Sequence, residues 1–73
     1  MSPDKMVHMA NQIALFFESR PEAEAAAGVA AHINDFWEPR MRRQLLDYVA
    51  AGGDGLRPLV LAAAAQIREP QTA

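Results

Sequence analysis

The sequence predicts an all-α fold, a small bundle of about four short helices, and three observations carry that prediction. Apolar residues recur at helical spacing along most of the chain. Prolines and glycines cut it into segments of about 11 to 17 residues, the ordinary length of globular helices. No stretch alternates with period two over a strand's length, and the β-branched residues are few and scattered.

Ser2 is placed to cap the first helix, with Pro3 at the first helical position, where its missing N–H costs nothing, and Asp4 at the positive end of the dipole. Met6, Met9, Ala10, Ile13, Phe16 and Phe17 then fall on one stripe, opposite Lys5, Gln12 and Glu18. Ser19 and Glu22 have the spacing of a capping box and predict the start of a second helix. Its stripe is Ala26, Val29, Ala30, Ile33, Phe36 and Trp37, which repeats the offsets of the first, so the two helices can pack stripe to stripe. Pro39 opens a third helix with Met41, Leu45, Tyr48 and Val49 facing one way, and Gly52 and Gly53 stop it. A fourth helix follows from Pro58, with Leu59, Val60, Ala63, Ala64 and Ile67 inward, and Pro70 ends regular structure.

The chain of 73 residues makes one helical domain, residues 1–73, with a thin core, because fifteen of its hydrophobic residues are alanines. A core of this size supplies only ~3–5 kcal/mol, so domains this small lean on disulfides, a metal or a partner. There is no cysteine, which leaves a partner and also removes thiolate metal sites and Cys nucleophiles. No apolar run approaches the ~20 residues of a membrane span, and no signal pattern opens the chain, so the expected compartment is the cytoplasm, with no membrane partner. A formal charge of −2 opposes binding to phosphate backbones, and no nucleic acid is expected.

A search for chemistry finds no catalytic, cofactor-binding or metal-binding residues. His8 and His32 form no H-E-x-x-H pair and have no third histidine; they read as polar residues at the edges of helix stripes. Ser2 and Ser19 are committed as caps. Gly52, Gly53 and Gly55 follow a helix and lack both the Lys-Ser/Thr ending of a P-loop and the G-x-G-x-x-G spacing, so they read as a turn. Glu22 and Glu24 point to different faces of a helix. One feature carries an electrostatic cost. Arg40, Arg42 and Arg43 crowd cations into the first turns of the third helix, at ~0.3–1 kcal/mol per charge, which makes sense if they meet carboxylates or phosphates elsewhere. With Phe36 and Trp37 just before them, they form the aromatic-plus-arginine composition of interface hot spots, and these five residues are the candidate partner interface. Core filling is an equal reading for Trp37.

Three stretches, Met6–Phe17 (MVHMANQIALFF), Val29–Arg43 (VAAHINDFWEPRMRR) and Gly52–Val60 (GGDGLRPLV), are similar in order and spacing to the delta subunit of NAD-dependent formate dehydrogenase. The block from Phe36 to Arg42 is the most specific part, and Glu38 stands where the family more often carries aspartate. The resemblance implies membership of a cytoplasmic alpha-beta-gamma-delta complex that oxidises formate and passes the electrons to NAD. It implies that the alpha subunit carries a bis-pterin molybdenum or tungsten centre and iron–sulfur clusters, beta a flavin and gamma a further cluster, with no cofactor in the delta chain. This chain would then dock on alpha as a non-catalytic accessory subunit, supporting assembly, stability or cofactor maturation. Readings from other classes stand beside it: a small helix-turn-helix nucleic-acid binder using the third helix, or a self-associating helical protein that forms a homodimer in isolation.

Overall fold

The computed structural model describes residues 2–69, which form helices α1 (Pro3–Phe17), α2 (Glu22–Phe36), α3 (Pro39–Ala50) and α4 (Pro58–Ala64), with no strand among the described residues. Pro70, expected to end regular structure, lies outside them. The bundle measures 36 × 23 × 18 Å. α2 is its centre, packing most extensively on α4 and next on α1, while α3 closes against α1 and α4.

Each helix starts for a local reason. The Ser2 hydroxyl accepts from the Lys5 N–H at 3.3 Å, and Pro3, Pro39 and Pro58 stand at the first turns of α1, α3 and α4. The capping box expected at Ser19 and Glu22 is not formed. Pro21 is the N-cap of α2, and no side chain caps that end. Arg20 precedes a proline, which disfavours the helical region for it, so α2 cannot begin until the proline has passed. α3 ends in a Schellman motif: the Gly53 N–H donates to the Tyr48 carbonyl at 2.9 Å and the Gly52 N–H to that of Val49 at 3.0 Å. Both glycines have positive φ, 124° and 64°, a backbone that residues with a Cβ rarely adopt.

One core draws on all four helices: Met6, Ala10 and Ala14 of α1; Ala26, Val29, Ala30 and Ile33 of α2; Leu45 of α3; Val60 and Ala63 of α4. Trp37, Leu56 and Ile67 fill it from the connections. The alanines let helix backbones approach closely, and the larger side chains close the remaining volume. Three residues of the expected inner stripes are exposed outside it. Phe16 and Phe36 are 71% and 73% exposed, and Met9 is also exposed, because each lies at the margin of its stripe and an alanine-rich core is too narrow to cover the margins.

α4, only seven residues long, is strapped at both ends by side-chain amides. Asn11 of α1 donates to the Gly55 carbonyl at 3.0 Å and accepts from the Arg57 N–H at 2.9 Å, just before the helix. Asn34 of α2 does the same after it, donating to the Gln66 carbonyl at 3.1 Å and accepting from the Arg68 N–H at 2.8 Å. An asparagine amide carries an NH2 donor group beside a carbonyl acceptor, so each can pair with a carbonyl and an N–H two residues apart.

Candidate docking surface

The five interface candidates of the α2–α3 corner separate on folding. Trp37 is 5% exposed and packed in the core, so in the isolated chain its ring acts as a core residue. Phe36, its chain neighbour, turns the other way into solvent and stacks on His32 of the preceding turn, ring centroids 4.8 Å apart.

The arginines also divide. Arg42 reaches back from α3 to the end of α2, its Nη1 donating to the carbonyls of Asn34 at 3.3 Å and Trp37 at 3.4 Å. A cation at a helix C-terminus satisfies otherwise unpaired carbonyls and favours the negative dipole end, which offsets the unfavourable start of α3. Its Nε is buried and makes no hydrogen bond among the described residues. Arg43 pairs with Asp47 one turn on, at 3.7 Å, along the exposed side of α3. Arg40 is exposed and engages no carboxylate among the described residues. The corner therefore offers outward one aromatic ring and one cation, Phe36 and Arg40.

Sequence reasoning did not single out the surface that continues from Phe36 onto α1. Between α1 and α2 lies an open groove of about 400 Å³, lined by Gln12, Ile13, Phe16, Phe17 and His32. Phe16 stands edge-on to Phe17, centroids 5.1 Å apart at 84°. Phe17 lies against Gly28, where a Cβ would come within 2.5 Å of the ring. A glycine in a helix interior costs roughly 1 kcal/mol relative to alanine, so this position, unremarked in the sequence, was the available signal that something packs closely there. The Arg20 guanidinium sits 5.6 Å from the centre of the Phe17 ring.

At the C-terminal end of α1, Glu18 receives a bidentate ion pair from Arg57, with Nη2 to Oε1 at 2.9 Å. That hydrogen bonding holds the Glu18 carboxyl below its ordinary pKa and raises that of Arg57, with desolvation opposing and charge attraction adding to both. The pair latches the start of α4 to the end of α1 and borders a second open groove of about 410 Å³. Its charges are spent on each other.

Among the described residues no three His, Cys, Asp or Glu side chains converge as a metal site would require, and a chain without cysteine has no thiolate for an iron–sulfur cluster. The described helices include none long and apolar enough to cross a membrane. The arrangement brings together contact chemistry: rings, an imidazole, an amide and cations along the α1–α2 groove and its rim.

The family model that matches this chain, over residues 5–64, is that of the NADH-dependent formate dehydrogenase delta subunit FdsD. The match spans all four helices. No curated protein matches the chain.

Proposed function

The chain belongs to the NADH-dependent formate dehydrogenase delta subunit family, and from that premise we propose that it is a non-catalytic accessory subunit of a cytoplasmic complex, docking on the molybdenum-containing alpha subunit. There it supports assembly, stability or cofactor maturation, while the bis-pterin molybdenum or tungsten centre, iron–sulfur clusters, flavin and NAD site belong to the larger subunits. The observation that carries docking is Phe36, a large aromatic side chain 73% exposed beside a buried tryptophan. A ring held in water is unfavourable by roughly 25 cal/mol per Å² of apolar area, and covering it in a complex recovers that free energy. Arg40 supplies a cation four residues on, suited to a carboxylate on the facing surface.

The readings from other classes receive less support. Of the arginines that a nucleic-acid binder would aim at phosphate, Arg42 is committed to the end of α2 and Arg43 to Asp47.

The test is affinity purification of the tagged full chain from its native host, with the accompanying subunits identified by mass spectrometry. Phe36→Ser and Arg40→Glu together are expected to lower recovery of the alpha subunit at least tenfold while the helical circular dichroism spectrum is unchanged. Wild-type chain that brings down none of the dehydrogenase subunits would overturn the reading.

A further inference from the structure

The groove between α1 and α2 is continuous with the Phe36 surface, since His32 both lines the groove and stacks on Phe36. It does not enclose a ligand as a small-molecule site does: one wall, Phe16, is itself 71% exposed, whereas such sites bury most of what they bind. A large side chain entering from another protein fits its size and its apolar walls.

The exposed area distinguishes between partners. Phenyl side chains bury roughly 150–250 Å² each, so at the exposures of Phe16 and Phe36 the two rings offer about 200–350 Å². A stable interface needs about 800 Å² on each side. A second copy meeting its twin on this patch alone would bury less than half of that. A larger protein can reach past the patch on both sides and make the rings the dry centre of a wider contact.

Charge describes the rim of that contact. Arg20 lies over the groove-lining ring of Phe17, Arg40 follows Phe36, and neither engages a carboxylate among the described residues. We propose that the groove receives one apolar side chain, flanked by carboxylates, projecting from a larger subunit of the complex. This rests on the accessory-subunit reading above and names the chemistry of its partner surface.

Because the chain lacks cysteine, a single thiol can be placed at will. Gln12→Cys puts it in the groove; Leu15→Cys puts it on an exposed part of α1 that does not line the groove. Each full-length variant, carrying on the thiol a short flexible alkyl diazirine that leaves the groove open, is assembled with the other subunits and irradiated. The expected result is a crosslink from position 12, at least tenfold stronger than from position 15, to an apolar residue with acidic neighbours in a larger subunit. Gln12→Trp, which fills the groove, is expected to cut co-recovery of that subunit at least tenfold with an unchanged helical spectrum. If the complex assembles but position 12 crosslinks to nothing or only to a second copy, or Gln12→Trp assembles normally, the groove assignment falls and the subunit reading stands. If the wild-type chain assembles with no larger subunit, both fall.

Discussion

Replacing Asn34 by alanine removes both side-chain bonds that hold the chain after α4, the one to the Gln66 carbonyl and the one from the Arg68 N–H. Each is worth about 0.5–1.5 kcal/mol net, and because both lie near the surface water replaces part of the loss, so the expected cost is about 1–2 kcal/mol. A domain of 73 residues has about 4–11 kcal/mol in all, so this is a substantial fraction. At this size the loss lowers Tm by about 4–16 °C. Urea titration followed by far-UV circular dichroism measures the free energy, and amide hydrogen exchange localises it: the Arg68 N–H should lose protection by more than the global change. Asn11→Ala should do the same at the other end, with the Arg57 N–H as reporter. A change below about 0.3 kcal/mol for Asn34→Ala, with Arg68 exchange unaltered, would refute the strap, since surface substitutions without a partner ordinarily fall within ±0.5 kcal/mol.

Trp37→Ala should cost about 3–5 kcal/mol and leave much of the chain unfolded, whereas Phe36→Ala should change stability by under about 0.5 kcal/mol, a contrast that denaturant titration reads directly. Gly28→Ala gains about 1 kcal/mol of helix propensity but pushes into Phe17, where overpacking costs about 1–3 kcal/mol; a net loss is expected, turning into a gain in a Phe17→Leu background. Gly53→Ala places a Cβ at a φ of 64° and 2.7 Å from Leu61 Cδ2, and a loss of about 1–2 kcal/mol is expected by the same titration. Glu18 has a lowered folded-state pKa, so its contribution is present above the unfolded value and disappears as pH falls through the folded one; below the ordinary glutamate range the wild type should lose stability faster than Glu18→Gln, and parallel acid limbs would count against the latch.

The helices were legible because their signals are local. Ser2 with Pro3, the proline openings of α3 and α4, and the Gly52–Gly53 stop all act within one turn of the residues that announce them. The Ser19 capping box was misleading for a local reason too, since Pro21 overrode it. Position within a stripe was harder. Periodicity assigns Phe16 and Phe36 to the inner faces, but whether a marginal residue is covered depends on how wide the neighbouring helices are, and here alanines make them narrow. The interface candidates mixed two roles that composition cannot separate: Phe36 is the last residue of α2 and Trp37 its extended C-cap, and across that helix end one ring goes out and the other in. The asparagine straps join residues 32 to 46 positions apart, and nothing in the sequence links such partners.

The brevity of α4 also orders events in time. Seven residues are fewer than the roughly 12–15 at which an isolated helix becomes even marginal in water, so this segment has no shape to contribute before α1 and α2 have met and presented their two amides. The order expected from this is that α1 and α2 meet first, as a hairpin, and α4 condenses on them. Substitutions in the straps should accordingly quicken unfolding and leave the rate of folding almost untouched, and a ribosome must release the C-terminal third of the chain before the hairpin's remaining apolar surface is closed.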